Sequence, residues 1–530
     1  MLPLLFLAIL EAAGGQELTP PPDYAKRIAA LEQSRQAHPQ DFEVLDALAG
    51  SYTMGAEYGK AITVLQQMRG LRPENSGLDL RVARNYAWAG NSKRAIAKYQ
   101  VYLRAMPGDR KATIELIRLR RYRGDYSEAE RLCNSLLKVN SEDAEVLALK
   151  AEVLHWAGDR KLLARRTADE AARITADYPD AKVAQVYASR DLGENRRASE
   201  ELAVLEAQVA SNGGVKAEST YGDAYRLLES EPPARLSNTP AYSVYNDSDG
   251  IHDDFWNWRL AAPIRSDHSL VLDLSQRVSS APAGGIFTSG RDNSSIADLL
   301  AGGVVRVAPA VYLTLLGGGS ERKSEDRLRP IFNFQVAASP FDRWTFNLSA
   351  RREFLAVTPR AIDQDISSYK AAAGVRYAFD SRTSVEVHGE RRYWSDSNRS
   401  LAGEATLRRV LHYYKPFLID GGLLTHWEKF DRDTELQAGF FTPDRYRRHD
   451  GFLGLHGELK RFSYELRGAG GSQQVASAAS YRPDWEVTST ASLRLSRSIR
   501  LAASYQRRNY SLLSRDGWYQ GFYFSLGTQQ

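Results

Sequence analysis

From Tyr242 to the C-terminal end, apolar and polar residues alternate with a period of two. A β-strand turns successive side chains to opposite faces, so such a segment has one apolar wall and one polar wall. In residues 343–351, Trp344, Phe346, Leu348 and Ala350 fall on one face, and Arg343, Thr345, Asn347, Ser349 and Arg351 on the other. In 384–394, Val385, Val387 and Tyr393 oppose Glu386, His388, Glu390, Arg392 and Trp394; in 485–495, Trp485, Val487, Ala491, Leu493 and Leu495 oppose Glu486, Thr488, Thr490, Ser492 and Arg494. The closing segment 518–527 repeats the pattern, with Trp518, Phe522, Phe524 and Leu526 apolar and Gly521, Ser525 and Gly527 small or polar. About sixteen strands are expected, at 241–249, 253–264, 269–278, 294–307, 311–321, 327–338, 343–354, 367–379, 384–395, 400–413, 417–430, 447–459, 461–471, 485–496, 498–510 and 518–527. Most are longer than the usual strand of a soluble sheet and match what a tilted strand needs to cross a bilayer.

The connections agree. Links after even strands are short (265–268, 308–310, 339–342, 380–383, 414–416, 460 and 496–497), whereas 279–293, 355–366, 431–446 and 472–484 follow odd strands and are long. Outer-membrane barrels have short periplasmic turns and long outer loops, and an even strand count returns both barrel ends to the periplasmic side. The fold class expected is therefore α + β multidomain, its C-terminal part a transmembrane antiparallel β-barrel over residues 241–530.

Before residue 212 the periodicity is of another kind. Pro39, Pro73 and Pro107 are 34 residues apart, with Ser141 in the same slot of the next unit. Ala61, Ala95 and Ala129 repeat at 34, as do Gly90, Gly124 and Gly158, and Tyr52 and Tyr86 add a matching aromatic. These slots resemble those of a tetratricopeptide repeat: glycine in the turn between two helices, alanine where they touch, proline after the second. Units are expected at 42–75, 76–109, 110–143 and 144–181, with a further helical pair containing Gly193 and Ala198 and an opening helix near 23–37. The resemblance implies an α-solenoid over 23–211 that binds protein partners along a groove. Residues 212–240, with Glu231-Pro232-Pro233, are expected to be a linker.

Composition narrows the classes. Mean hydropathy is −0.44, and the only apolar run, Leu2 to Leu10, is too short for a membrane helix. With Ala12, Ala13, Gly14 and Gly15 after it, that run marks 1–15 as an expected signal peptide, although the basic residues that usually precede such a run are missing. Cys133 is the only cysteine, which excludes an internal disulfide and a cysteine metal cluster; it falls where a repeat helix needs a small core residue. Net charge is +5 from 70 basic and 65 acidic residues, with no basic stripe of the kind nucleic-acid binding needs. No cofactor or metal is expected, and no GxSxG, HExxH or Ser/His/Asp spacing supports an enzyme.

A barrel of sixteen strands is wide enough to hold a water-filled lumen. Its inward faces carry both signs of charge: Arg277, Arg351, Lys370, Arg376, Arg392, Arg408, Arg467, Arg494, Arg500 and Arg508 against Asp273, Glu353, Glu386, Glu390, Glu404, Glu465 and Glu486. Opposite charges that face one another stiffen the wall. Arginines also hydrogen-bond hydroxyls, and an inward Trp394 can stack on a sugar ring, so Arg376, Glu386, Arg392, Trp394, Arg408 and Arg508 are the candidate lumen path.

Repeats joined to such a barrel resemble the secretion porins for poly-N-acetylglucosamine and cellulose, and the strand region resembles the YaiO-type barrel group. Two motifs carry the likeness: Tyr245-Asn246-Asp247-Ser248-Asp249-Gly250 at the first hairpin, and Gly439-Phe440-Phe441-Thr442-Pro443-Asp444-Arg445-Tyr446 after strand eleven. The second resembles the cellulose-exporter pattern, with Phe440, Phe441, Pro443 and Tyr446 in its aromatic and proline slots. The resemblance implies a protein of the bacterial outer membrane, in contact with its lipid, whose lumen passes an exopolysaccharide and whose periplasmic repeats dock protein partners. The alternatives are a periplasmic binding scaffold anchored by a closed barrel and, third, a barrel enzyme acting on envelope lipid or sugar. The chain departs from barrels that end on phenylalanine by extending through Thr528 to Gln530.

Overall fold

The structure, a computed structural model, describes residues 24–176, 178–211 and 236–529, the last range apart from 266–267, 286, 289–291, 323–324, 415–416, 433–438, 460, 477–478, 497 and 510–516. The expected signal segment 1–15 and residues 212–235 of the expected linker lie outside these, as do residues 266–267, 415–416, 460 and 497 of the expected short links.

The helical unit opens with α1 (Tyr24–Ala37) and continues as antiparallel pairs: α2 (Phe42–Met54) with α3 (Tyr58–Leu71), α4 (Ser76–Trp88) with α5 (Ser92–Ala105), α6 (Arg110–Tyr122) with α7 (Tyr126–Leu137), α8 (Ala144–Ala157) with α9 (Lys161–Ile174), and α10 (Pro179–Asp191) with α11 (Asn195–Ser211). The 34-residue slots do what their chemistry dictates. Gly90, Gly124 and Gly158 hold φ between +73° and +78° in the turns inside each pair, a left-handed conformation that costs an L-residue with a Cβ but not glycine. The first pair has Ala56 in that slot at φ +58°. Ala61, Ala95 and Ala129 are fully buried where the paired helices touch.

Asp41, Asn75, Asp109 and Asp143, themselves 34 apart, cap the first helix of four successive units by accepting backbone N–H bonds. That register is also in the sequence, beside the Pro, Ala and Gly slots. Leu45, Leu48, Leu65 and Met68 are fully buried in the first core cluster. Cys133 is fully buried among Ile114, Ile117, Val146, Leu149 and Val153, in the small-residue role expected of it.

The strand unit is a closed antiparallel barrel of sixteen strands. They are β1 (Ser237–Asp247), β2 (His252–Arg265), β3 (His268–Ser280), β4 (Asn293–Ala308), β5 (Val311–Arg322), β6 (Glu325–Ala338), β7 (Trp344–Phe354), β8 (Ser367–Ala378), β9 (Thr383–Trp394), β10 (Arg399–Tyr414), β11 (Phe417–Phe430), β12 (Tyr446–Leu459), β13 (Phe462–Val475), β14 (Arg482–Arg494), β15 (Ile499–Arg508) and β16 (Tyr519–Gln529). Each pairs with its sequence neighbours, and β1 closes on β16 through Tyr242↔Phe524 and Ser237↔Gln529. The expected strand ends agree to within two residues except at β1, β13 and β14.

The exceptions share a cause: a partner strand, not local pattern, supplies the hydrogen bonds. Ser237 and Asn238 pair with Gln529 and Thr528, so the terminal residues read as an extension past the barrel are part of its closing strand. Ser472 and Gln473, expected in the long loop, lie opposite Pro483 and Arg482 and extend both strands. At Gly471 a Cβ would sit 1.9 Å from the His449 carbonyl oxygen, so the close approach of β12 requires glycine there. Arg343, expected on the inner face of β7, instead takes a left-handed turn conformation (φ +71°) just before it.

The outward row Ala503–Phe524–Tyr242–Trp256 crosses four adjacent strands and is apolar throughout. Leu315, Leu348, Leu423, Leu453 and Leu466 are exposed on the outside of five further strands. Trp344 and Tyr377 pack at 4.7 Å near the short-turn end, while Tyr369, Tyr393, Trp427 and Trp485 lie outward toward the long-loop end. Aromatics in two bands around an apolar belt are what a lipid-facing barrel wall requires.

Candidate functional site

Strand register places all six candidate lumen residues on the inner face. Arg376 and Glu386 are directly opposite on β8 and β9, and both are exposed to the lumen. Arg392 joins a charged group across β7 to β9: it pairs with Glu390 and lies 3.3 Å from Glu353, while Lys370 also meets Glu390. Arg408 pairs with Asp420 across β10 and β11, and Asp420 is also 3.0 Å from His456 on β12. Arg508 is 9% exposed, bound to both carboxylate oxygens of Asp484 (3.2 and 3.0 Å) and to the Tyr446 hydroxyl. Next to it Arg448 reaches Asp484 at 2.8 Å and Glu486 at 2.6 Å and also meets Asp450. Ion pairs thus link neighbouring strands along much of the inner wall. These pairs hold strands together, while Arg376 and Glu386 remain exposed.

At the long-loop end the loop joining β7 and β8 folds inward as a cover. A five-residue helix, α12 (Pro359–Asp363), lies within the loop joining β7 and β8, and contacts from two sides of the barrel hold it. On the β3–β6 side, Arg322 donates to the carbonyls of Ile362 (2.7 Å) and Asp363 (2.6 Å) and pairs with Asp365 at 2.7 Å. Ser294 donates to Asp363 at 2.6 Å, and Arg277 to the Ala356 carbonyl at 3.0 Å. From the β3–β4 loop, the Phe287 carbonyl accepts the Arg360 backbone N–H at 2.9 Å, and the Thr288 carbonyl accepts its guanidinium. From the β11–β12 loop, the Gly439 carbonyl accepts the Thr358 hydroxyl at 2.6 Å. Hairpins β3–β4 and β11–β12 are eight strands apart in a ring of sixteen, so they stand on opposite walls. One short helix touching both spans the mouth.

Trp394 sits beneath this cover. Its inward position matches the sequence expectation, but the ring is 7% exposed rather than open to the lumen. It packs against Phe440 (centroids 4.8 Å) and Phe430 (6.0 Å), with Ala361 and Ile366 completing the cluster and Leu355 and Val357 beside it. The loop motif acquires a physical role here. Phe440 enters the cluster, Phe441 packs edge-on to Tyr446 at 5.9 Å, Pro443 accepts the Phe430 N–H at 3.1 Å, and Tyr446 supports Arg508. Sequence reading did not single out Thr358, Arg322 or Arg360; residues 355–366 showed only a long loop, with no periodicity to say where it folds.

In the helical unit, ion pairs run from the first helix of one repeat to the first of the next: Asp46 with Arg81, Arg84 with Glu115 (2.9 Å), Arg110 with Asp143 (2.8 Å) and Arg121 with Glu152. Met54, Trp88, Tyr122 and Trp156 take one slot in four successive units, 34 apart, and each stays partly exposed. This register too was present in the sequence.

The tetratricopeptide-repeat family matches residues 89–153. No curated protein matches the chain. Among solved structures it is similar to a bacterial polysaccharide outer membrane secretin, at 13% identity and TM-score 0.48, over 57% of this chain and 100% of that one. It is also similar to MamA from Desulfovibrio magneticus (10% identity, TM-score 0.30, 32% of this chain and 97% of that one). A tetratricopeptide repeat protein from Parabacteroides merdae matches at 18% identity and TM-score 0.28, over 39% of this chain and 77% of that one.

Proposed function

We propose that this chain is an outer-membrane pore for a secreted polysaccharide, closed at its long-loop mouth in the state described above, whose repeats dock protein partners in the periplasm. One observation carries the reading: a closed sixteen-strand wall is apolar outside and polar and charged inside. Sixteen strands enclose far more space than their own side chains fill, so the wall has little reason to be this wide unless something passes. Hydroxyl-rich polymers suit a path with Arg376 and Glu386 exposed, because guanidinium and carboxylate both bond to hydroxyls. The Gly439–Tyr446 motif, with its likeness to the exporter pattern, favours polysaccharide over smaller solutes.

Both barrel ends, Ser237 and Gln529, lie at the short-turn end, so the chain before β1 belongs on that side of the membrane, the periplasm in outer-membrane barrels. The partly exposed row Met54, Trp88, Tyr122 and Trp156 offers a partner one hydrophobic contact per repeat. Deleting the gene in its host is expected to remove a surface polysaccharide while the polymer is still synthesised. A strain that keeps normal surface polysaccharide refutes the export reading.

A second reading has its own support. The spanned mouth equally fits a sealed barrel that anchors the repeats as a scaffold. Conductance separates the two: an export pore passes ions in planar bilayers once the mouth is released, and a sealed anchor does not.

A further inference from the structure

We infer that Trp394, Phe430 and Phe440 form a sugar-stacking site for the passing polymer, and that the loop 355–366 occupies it in place of sugar while the mouth is closed. The inference rests on reading the barrel as a polysaccharide pore.

The site is out of keeping with the wall around it. Other inward positions on β8 to β12 are largely charged, small or hydroxylated, yet at the long-loop end Trp394 of β9 and Phe430 of β11 both point inward and meet Phe440. Lipid cannot be what they await, since the membrane lies on the other face. What covers them is aliphatic: Ala361 and Ile366, with Leu355 and Val357 at the edge. Aliphatic C–H groups over an aromatic face reproduce the contact that the C–H face of a pyranose ring makes with the same ring. Polar groups stand at the rim where hydroxyls would fall. The Trp394 indole N–H donates to the Ser400 hydroxyl at 3.2 Å, and the Arg392 guanidinium lies 5.4 Å from the Trp394 ring centre.

The attachments of the covering loop are lopsided. Toward β3–β6 it is held by Arg277, Arg322 and the carboxylate of Asp365, with Arg360 bonded into the β3–β4 loop. Toward the aromatic trio only neutral hydroxyl bonds, Thr358 to the Gly439 carbonyl and Ser395 to the Asp365 carbonyl (3.3 Å), join apolar contact. Charge-assisted bonds are about twice as strong as neutral ones. The aromatic side is therefore the side that parts, leaving the loop tethered to the opposite wall and the three rings facing the lumen. A sugar chain arriving from below competes with the loop for the rings, so the polymer opens its own exit. The loop in turn lowers the apparent affinity for sugar by the fraction of molecules whose mouth is closed.

The full chain in planar bilayers tests this, with a soluble β-1,4-linked glucose pentamer as probe and gel mobility before and after heating as the check that each variant folds. Replacing residues 357–364 by a Gly-Ser segment of equal length is expected to open the pore and to tighten pentamer binding about tenfold or more over the parent. Trp394→Ala in that open background is expected to lose the gain. Equal pentamer affinity with and without the loop, or no effect of Trp394→Ala, overturns the inference while leaving the pore reading intact. A folded loop replacement that conducts no ions overturns the pore reading itself. Should the replacement fail to fold, Thr358→Val decides: it is expected to lower the pentamer concentration that raises conductance, and an unchanged concentration dependence overturns the inference.

Discussion

Replacing Asp109 with alanine removes two interactions at one junction between repeats. The carboxylate caps α6, accepting the Ala112 N–H at 2.9 Å, and it accepts the hydroxyl of the nearly buried Tyr102 at 2.6 Å. Loss of an N-cap costs about 1 kcal/mol. Depriving the Tyr102 hydroxyl of its acceptor costs about 1 kcal/mol more. For a helical unit of this size each kcal/mol moves the melting midpoint by roughly 2–4 °C, so a drop of about 4–8 °C is expected.

Charge adds a pH dependence. Burial by itself would raise the Asp109 carboxyl, but the Ala112 amide, the Tyr102 hydroxyl and Arg84 together hold it below the usual carboxylate range. Asp143, the equivalent cap one repeat on, is lowered in the same way against its burial, by Arg110 and the Val146 amide. A carboxyl whose folded pKa is depressed stabilises the fold fully above its unfolded value of about 3.9, and this is lost as pH falls through the folded value. The assay is the loss of the helical circular-dichroism signal of the full chain in detergent, recorded from pH 7 down to pH 3. Asp109→Asn keeps a good cap but not the charge, so it is expected to melt between the parent and Asp109→Ala, with a shallower decline in acid. The reasoning is refuted if Asp109→Ala melts with the parent, or if Asp109→Asn falls as far as Asp109→Ala.

Other expectations follow from single positions. Ala56 holds the left-handed turn that glycine holds in later repeats, so Ala56→Gly is expected to be neutral to about 1 kcal/mol stabilising, and Gly90→Ala about 1 kcal/mol destabilising, read by the same melt. The Cys133 thiol is pushed up to about 12 by burial, so a maleimide reagent at neutral pH is expected to label it only after the chain is unfolded; labelling of the native protein at the rate of a free thiol would contradict its placement. Leu423 is outward and Thr490 inward, so Leu423→Arg is expected to cost about 2–4 kcal/mol of barrel stability in lipid vesicles while Thr490→Arg is tolerated. Equal penalties at the two sites would mean that the faces are misassigned.

Much of the architecture could be read along the chain because both of its patterns are local. Alternation at period two in Trp344–Ala350 or Trp485–Leu495 requires a strand with two unlike faces, and the 34-residue slots of Pro39, Ala61 and Gly90 require stacked helical pairs. Inward and outward sides followed for the same reason: side-chain direction in a strand is fixed by parity. Parity says nothing of what lies over a face. Trp394 is inward by sequence, but only the fold brings over it the loop 355–366, itself held by Arg322, and Phe440 from a loop beyond β11. Those partners are up to 81 residues apart in pairs such as Thr358 and Gly439, and no local periodicity records such a meeting. Closure is of the same kind, since Ser237 and Asn238 become strand only because Gln529 and Thr528 arrive to bond with them. Local pattern is enough to set the elements, their faces and the repeat; closure of the ring through its last residues, and the loop folded over its mouth, depend on backbone and side-chain partners supplied by distant parts of the chain.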